Sequence, residues 1–500
     1  MSRTFPTHTI TDDSALGGSV IERSLRFNDG DSAYLNRTPS SQGDRRVFTL
    51  SWWMKCDGNT TLFSAQRSTL NPSLQIKISD QRLVVVGNKD GSSSSYMMSL
   101  VTDAQFRDKS AWYHCVVAFN TSDGTASNRI KIYVNGSQIT SFSAGSTGLT
   151  ADTYPSSGDQ TSWGTNEAAQ NIGRLYSGSG YYDGYLAEIH YVDGSQLDAS
   201  SFGYTESQTG IWRPKRYTGG YGDVNNGFYL EFKDNSSTSA LGKDTSGNQN
   251  NFTTNNFSVT AGDGNDSVED TPTNNFPTFN PLDRSSDTVL YNGNLRFSFA
   301  SRPNSRTVRT TFALPSTGKY YWEFLNEQSS SNPGRISMGV VNFITESSSY
   351  NTNPGADSSY MNYSYGGGIQ IAGSSIGVAG SWYNTERAAI AVDCDTGKFW
   401  FGKVASNGST TWYNSTAGTD GNPATGTNPT TTLTNPSQFM PFGGWHEGGS
   451  GSEFFSASIN FGQQAFLGTI PSGFKTLSTK NISPNVPSII RPQKHFENLL

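Results

Sequence analysis

Two glutamates in strand-like segments are the candidates for acid–base chemistry in this sequence. Glu188 lies in YLAEIHYV (185–192) and Glu323 lies in YYWEF (320–324). A retaining glycosidase uses two carboxylates about 5 Å apart, which residues i and i+4 on one strand face would provide. Neither segment contains a second carboxylate. The pattern therefore favours carboxylates on a sheet face, and we predict that the protein is not an enzyme.

Histidines and cysteines offer no alternative centre in this sequence. The histidines are far apart and form no HxxxH or CxxC set typical of a metal site: His8, His114, His190, His446 and His495. The three cysteines, an odd number, exclude a disulfide framework and are predicted to be mostly buried small apolar residues: Cys56, Cys115 and Cys394.

Aromatic residues in polar segments suggest binding chemistry instead. A sugar ring stacks on an aromatic face while amides and carboxylates bind its hydroxyls. The candidate ligand-binding residues come in pairs flanked by glycine, serine or threonine: Tyr181 and Tyr182, Trp382 and Tyr383, Trp412 and Tyr413, and Trp445 and His446. The alternative is that these rings anchor their own loops or contact another subunit.

The composition excludes several classes of protein. Of 500 residues, 15% are charged, 33% are apolar and 12% are aromatic, with a net charge of −6. Basic residues are outnumbered, so no nucleic-acid partner is expected, and the aromatic content argues against a disordered chain. No run of about 18 apolar residues predicts a membrane span. The first twenty residues lack the apolar region of a secretory signal, so synthesis in a cytoplasm is expected.

Short segments with alternating or continuous β-branched and aromatic residues must position these candidates. They include 47–54, 112–119, 129–134, 185–192, 320–324 and 388–394, with glycine-rich turns between them and no helical period. Asn135-Gly136 predicts a two-residue hairpin turn. Adjacent Trp52 and Trp53 must point to opposite faces of their strand. We predict an all-β chain with two antiparallel jelly-roll β-sandwich domains.

Shifts in composition divide the chain into five predicted parts. Residues 1–20 form an N-terminal arm, 21–232 a first sandwich, 233–284 an extended Asn/Thr/Pro-rich polar connector, 285–475 a second sandwich, and 476–500 a tail or the start of a further module. Regularly spaced phenylalanines predict that the connector is an ordered strap whose rings fill pockets: Phe252, Phe257, Phe276 and Phe279.

Both predicted sandwiches resemble known families. The segments SLRFNDGDSAYLNRTPSS, FTLSWWMKC, WYHCVVAFNTSDG and IGRLYSGSGYYDGYLAEIHYVDGSQLD are similar to a laminin G-like, concanavalin A-like lectin domain of marine bacteriophage tail and appendage proteins. The segments TGIWRPKRYTGGYGDVNNGFYLEF and DTPTNNFPTFNPL resemble the continuation of such proteins. From Lys319, GKYYWEF, RISMGVV, AAIAVDCDTGKFWFGK and ASINFGQQAF resemble a SPRY-type sandwich.

These resemblances imply a function and a location. The chain is expected to be a non-enzymatic virion protein, such as a tail fibre, knob or other appendage component, made in the host cytoplasm and self-associating. Its sandwich loops would bind a host-surface glycan or protein, or other virion proteins. In seawater the Debye length is about 4 Å or less, which favours stacking and neutral hydrogen bonds over charge. The alternatives are a purely structural capsid decoration or tail adaptor, and a polysaccharide depolymerase.

Calcium is a further hypothesis that follows from the laminin G-like resemblance. Domains of this kind often hold Ca²⁺ in loops rich in aspartate, asparagine and backbone carbonyls. Asp29 and Asp31 lie in one such loop, and Asp193 and Asp198 bracket another. The same residues are also ordinary turn residues, so both interpretations stay open.

Overall fold

The structure is a computed structural model of the full chain. It describes residues 18–56, 58–67, 73–88, 96–145, 147–207, 209–222, 226–262, 264–299, 306–327, 336–344, 358–364, 368–380, 386–445 and 455–482. The chain divides into two compact units. The first unit is Met1–Thr260 with Gly264–Asn274, and the second is Asn275–Leu500 with Ala261–Asp263.

In its described residues, the first unit consists of β-strands with four short 3-10 helices. The strands are β1 Ser24–Phe27, β2 Tyr34–Arg37, β3 Val47–Cys56, β4 Thr60–Gln66, β5 Ser73–Ser79, β6 Arg82–Asn88, β7 Tyr96–Gln105, β8 Tyr113–Asn120, β9 Ile130–Val134, β10 Ser137–Ile139, β11 Asp152–Thr153, β12 Gln170–Ile172, β13 Gly184–Asp193, β14 Gly203–Thr205, β15 Trp212–Pro214, β16 Phe228–Leu230, β17 Thr253–Asn255 and β18 Ser267–Val268. The 3-10 helices are Asp29–Asp31, Ala126–Asn128, Ala199–Ser201 and Ser239–Gly242.

Two antiparallel sheets form the first sandwich. One has the order β10-β9-β8-β3-β13-β1-β18, with β16 also pairing with β13, and the other has the order β11-β7-β6-β5-β4-β12-β2-β17. Their facing sides bury one apolar core that includes Trp52, Phe63 and Trp163. Trp53, one residue along β3, packs on the opposite face with Ile21. The predicted division of the two tryptophans between faces is confirmed.

The hairpin between β9 and β10 turns at Asn135 and Gly136, as predicted. Both residues have positive φ, 46° and 83°, and Val134 pairs with Ser137 across the turn. Asparagine and glycine tolerate this conformation best. A Cβ on Gly136 would lie 2.4 Å from the Trp212 ring, so packing as well as backbone conformation requires glycine there.

The second unit is also built from strands, with one 3-10 helix at Pro436–Gln438 among its described residues. The strands are β19 Phe279–Arg284, β20 Thr288–Tyr291, β21 Arg296–Phe299, β22 Arg306–Thr310, β23 Lys319–Asn326, β24 Ile336–Asn342, β25 Tyr360–Ser364, β26 Gly368–Ile371, β27 Ser374–Val378, β28 Arg387–Asp393, β29 Lys398–Val404, β30 Thr410–Trp412, β31 Thr431–Thr432, β32 Phe439–Trp445, β33 Phe455–Asn460 and β34 Lys475–Thr476.

The second sandwich again has two sheets. The first has the order β19-β22-β32-β24-β25-β26-β27. The second has the order β20-β21-β33-β23-β28-β29-β30, with β31 pairing with β29 and β34 pairing in parallel with β23. Trp322, Phe399 and Met338 belong to its apolar core. Leu477 is also fully buried there, so this unit includes residues beyond 475, where the tail was predicted to begin.

The predicted connector is divided between the two units. Strands β17 and β18 pair with β2 and β1 of the first unit, whereas β19 opens the second unit. The four phenylalanines fill the two cores, Phe252 and Phe257 in the first and Phe276 and Phe279 in the second. The predicted strap therefore fills pockets, but it is integral to each sandwich and does not link them as a separate segment.

Two buried ion pairs attach this segment to the first sandwich. Arg26 and Asp266 lie 3.0 Å apart with side chains 4% and 5% exposed, and Lys55 and Asp270 lie 2.7 Å apart with 2% and 1% exposed. The Trp112 indole also donates to Asp270, at 3.0 Å. A buried charge is costly without a partner, so the sheet requires both aspartates.

The predicted fold class is confirmed. The described residues form antiparallel β-sandwiches, apart from the short parallel pairing of β34. The three cysteines, all within the described residues, are buried and not in disulfides, as expected for small apolar residues. No helix in the described part of the chain is long and apolar enough to cross a membrane.

Candidate functional site

Glu188 lies at an irregular point of β13. The register against β3 shifts between Ala187 and His190, and Glu188 has φ of 50°, a conformation that costs about 1–3 kcal/mol outside glycine. Its carboxyl accepts a hydrogen bond from the Tyr229 hydroxyl at 2.6 Å. Burial raises the pKa of Glu188 to about 8. The side chain is therefore mostly a neutral acid at pH 7, held inside an internal network.

Glu323 lies in a regular part of β23 and is fully buried. It accepts hydrogen bonds from the Tyr321 hydroxyl at 2.6 Å and from the Gly468 and Leu467 amides at 2.8 and 3.2 Å. Burial raises its pKa, and these hydrogen bonds and Arg387 oppose the rise. Glu323 therefore holds the segment after β33 in place, which is a structural role.

His114 and Ser51 are in contact but are not arranged as a nucleophile and its base. The Trp212 indole, which can only donate, lies 3.0 Å from His114 Nδ1. Nδ1 is therefore the acceptor, and Nε2 carries the proton that it donates to Ser51 Oγ at 2.9 Å. Burial lowers the pKa of His114 to about 3. A neutral imidazole that donates to a serine cannot take its proton.

The structure places the predicted binding aromatics in different environments. Tyr182 and Tyr413 belong to the two apolar cores and are 0% and 2% exposed. Tyr181 and Trp412 are half-buried. The Phe27 ring packs against the Tyr182 ring, with the ring centroids 5.6 Å apart. An aromatic ring in a polar loop gains most by filling the core beneath that loop.

The other predicted aromatics are only partly described. Trp382, Tyr383 and His446 lie outside the described residues, and for Trp445 only the backbone, in β32, is described.

The four aspartates proposed for calcium are not gathered into one site. Asp29 and Asp31 are exposed on a 3-10 turn, and the Asp31 carboxylate accepts a hydrogen bond from the side-chain amide of Asn28 at 2.7 Å. Asp198 is exposed and caps another 3-10 turn by accepting from the Ser200 amide at 2.9 Å. Within the described ranges, no three Asp, Glu, His or Cys side chains are grouped as metal ligands. These residues do not fit a carboxylate-rich Ca²⁺ site.

Asp193 instead lies in a polar pocket of about 680 Å³ on the first unit, here called the Asp193 pocket. The loop before β3, the turn after β13 and the segment after β15 supply its walls. Its polar lining includes Asp44, Arg45, Arg46, Gln160, Asp193 and Tyr217. A volume of this size is typical of small-ligand sites.

One oxygen of Asp193 is buried without a hydrogen bond. Oδ1 accepts from the Asp44 amide at 2.9 Å and from the Tyr191 hydroxyl at 3.3 Å, whereas Oδ2 has no partner and the residue is 1% exposed. Oδ2 points toward Gly43, where a Cβ would lie 2.5 Å away. Burial raises the pKa of Asp193 to about 6. A buried unpaired acceptor costs about 1–3 kcal/mol, so this oxygen calls for an explanation.

Charged and aromatic groups also line the Asp193 pocket. Arg45 is 6% exposed and donates to Thr161 O at 2.6 Å and to Gln160 Oε1 at 2.8 Å. Arg46 is exposed. The half-buried Tyr217 ring packs on Phe202 at 5.0 Å, and its hydroxyl donates to Gly220 O at 3.0 Å. The pocket therefore offers an acceptor, cationic donors and an aromatic ring, which together match a hydroxyl-rich or acidic sugar.

Sequence reasoning missed most of this pocket. It selected Asp193, but as a metal ligand, and it did not select Asp44, Arg45, Arg46 or Tyr217. Short charged turns such as GDRR (43–46) occur on many surfaces. Contacts between residues far apart in the chain bring the pocket together, such as those of the Asp44 amide with Asp193, 149 residues apart, and of Arg45 with Gln160, 115 residues apart.

Comparison with known proteins agrees with the fold of the first unit. Residues 29–200 match the family model Laminin_G_3, described as the concanavalin A-like lectin/glucanases superfamily. This match supports the laminin G-like resemblance over that part of the chain. No curated protein matches the chain.

Three solved structures are among those that are similar to part of this chain. The SPRY domain of human HERC1 has a TM-score of 0.26 and 14% identity, covering 36% of this chain and 96% of that one. The heptameric SAP-like pentraxin of Limulus polyphemus has a TM-score of 0.25 and 18% identity, and the match covers 36% of this chain and 79% of that one. The stonustoxin structure has a TM-score of 0.25 and 14% identity, and the match covers 37% of this chain and 29% of that one.

Proposed function

We propose that this chain is a non-enzymatic binding protein of a bacteriophage virion, part of a tail fibre, knob or similar appendage. In this proposal the Asp193 pocket binds a host-surface glycan. The observation that supports it is the unpaired, buried Oδ2 of Asp193 in a pocket that also holds arginines and Tyr217. A ligand hydroxyl would supply the missing donor. The resemblance of the motifs between Ser24 and Leu282 to phage appendage proteins supports the virion assignment.

The test measures binding of the fluorescent full chain to candidate host cells in seawater-strength buffer, with and without chelator. We expect saturable binding that host polysaccharide competes. Asp193→Asn keeps an oxygen for the Asp44 amide but turns the Oδ2 position into a donor, and we expect it to weaken binding about tenfold or more.

Asp198→Asn is the matched control, because Asp198 is exposed, lies outside the pocket and caps its turn equally well as asparagine. Its binding should equal that of the parent. If Asp193→Asn binds as tightly as the parent, the pocket is not the binding site. Loss of binding with chelator would assign a cation to the mechanism.

A structural virion component is the second candidate. The burial of Tyr182 and Tyr413 favours it, because rings that fill a core are not displayed to a receptor. Under this function a folded, correctly assembled sample would bind no host cell. A depolymerase would instead release reducing ends from host polysaccharide, and Glu188→Gln would abolish that release.

A further inference from the structure

The second unit has a pocket of its own, separate from the site proposed above. It measures about 540 Å³ and is here called the Asp420 pocket. The hairpin β26–β27 contributes Ile371 and Ile376, and the segment between β30 and β32 contributes Asn414, Asp420, Asn428 and Thr431. The pocket thus has an apolar side and a side of amide, carboxylate and hydroxyl groups.

The polar side is fixed by hydrogen bonds among its own side chains. The Asn414 amide donates to one carboxylate oxygen of Asp420, and the Asn428 amide donates to the other at 3.0 Å. Asn428 has φ of 49°, which asparagine tolerates. Asp420 and Asn428 are nevertheless exposed, and each Asp420 oxygen keeps acceptor capacity beyond these hydrogen bonds.

Contacts between the segments on either side join the two walls. The Tyr413 hydroxyl, at the edge of the core, accepts from the Gly380 amide at 3.1 Å. Ala417 lies so close to Gly377 of β27 that a Cβ there would be 3.0 Å from its methyl group. A pocket whose walls are fixed in advance loses little entropy when a ligand binds.

The charge of the pocket determines the ligand it suits. Among the described residues that line it, Asp420 is the one charged residue, and none is lysine, arginine or histidine. An anionic ligand would meet a carboxylate with no compensating cation, whereas a neutral polyol can donate hydroxyls to Asp420 and place its C–H face on the isoleucines. We propose that the Asp420 pocket binds a neutral sugar ring. This inference does not depend on the function proposed for the Asp193 pocket.

Methyl NMR of the full chain tests this proposal directly, with labelled isoleucine δ1 methyls. The probes are the methyl glycosides of glucose, galactose and mannose, and glucuronate as an anion with the same ring. We expect saturable shifts at Ile371 and Ile376 with at least one neutral glycoside and none with glucuronate. No shift with any of the three, or equal shifts with glucuronate, would overturn the proposal.

Two tryptophan variants separate the pocket from the rest of the surface. Ser415 is exposed and lines the pocket, so Ser415→Trp fills it, whereas Ser406 is exposed and lies outside the lining. We expect the shifts to be lost in Ser415→Trp and kept in Ser406→Trp. Shifts that persist in Ser415→Trp would place the sugar elsewhere. Host-cell binding by Asp193→Asn is a separate readout, so either proposal can fail alone.

Discussion

Glu188 and Glu323 occupy similar positions in sequence but have different structural roles. Each follows aromatic or aliphatic residues in a central strand, and each is buried. Glu188 sits on a bulge at positive φ with its carboxyl on Tyr229, whereas Glu323 keeps a regular register and accepts two backbone amides. The partner, not the strand around the acid, decides what a buried carboxylate does.

The two units also differ in how deeply they bury the partners of their ion pairs. The first unit buries both partners of Lys55–Asp270 and of Arg26–Asp266 almost completely. In the second unit, Asp287 is 34% exposed in its pair with Arg306, and Lys319 is 37% exposed in its pair with Asp393. Ion pairs with both partners buried therefore contribute to closing the first sandwich, whereas these two pairs of the second unit each keep one partner partly exposed.

The largest expected effect on folding comes from truncating the first unit after residue 232 instead of after residue 274. A fragment of residues 1–274 should fold, and one of residues 1–232 should not. The shorter fragment loses Phe252 and Phe257 from the core and the partners of Arg26 and Lys55. Circular dichroism and tryptophan fluorescence of both fragments would test this. A cooperative unfolding transition in 1–232 would show that residues 233–274 are dispensable.

Asp270→Asn tests the buried pair in the intact chain. It keeps an acceptor for the Trp112 indole but removes the carboxylate charge 2.7 Å from the buried Lys55 ammonium, so we expect a loss of about 3–5 kcal/mol in unfolding free energy. Urea denaturation measures it. The double variant Lys55→Met, Asp270→Asn also removes the lysine charge and should recover most of the loss. No recovery would mean that the charge is not the cause.

Glu188→Gln should change the pH dependence of stability. The folded-state pKa of Glu188 is about 8, above its ordinary 4.5, so the folded chain binds this proton more tightly than the unfolded chain. The resulting stability is complete below pH 4.5 and is lost toward pH 8, at about 1.4 kcal/mol per pH unit. The variant should match the parent at low pH and exceed its stability at pH 8. Parallel curves would contradict the shift.

The smallest expected effect is that of Glu323→Gln in the second unit. This is the same acid-to-amide change as Asp270→Asn, but Arg387 is 3.9 Å away, so no close ion pair is broken. One amide hydrogen bond is lost, which costs about 1–2 kcal/mol. Hydrogen exchange should accelerate at Leu467 or Gly468. A loss as large as that of Asp270→Asn would remove the proposed difference between the units.

Local pattern was sufficient to predict the long strands. The predicted segment 47–54 is β3, 185–192 is β13 and 388–394 largely coincides with β28. Each buries several large side chains, which gives it a clear apolar signature. Strands β17 and β18 have two or three residues, mostly polar. Their pairing depends on partners far along the chain, so no local pattern could predict them.

The candidate site was less predictable than the fold. Selecting aromatics in polar loops identified Tyr182 and Tyr413, which fill cores. The same rule missed Tyr217, whose ring lines the Asp193 pocket. Local composition does not record whether a loop folds its ring inward or outward. The unpaired oxygen of Asp193 is likewise visible only when its surroundings are known.

The pairing of β1 with β18 also determines when the first sandwich can be completed during translation. Arg26 and Asp266 are 240 residues apart. A ribosome adding about 5–20 residues per second makes the aspartate roughly 12–48 s after the arginine. Until then β1 is an open sheet edge, which other nascent chains can pair with. Slow synthesis of residues 27–265 would prolong that exposure, and rapid synthesis would shorten it.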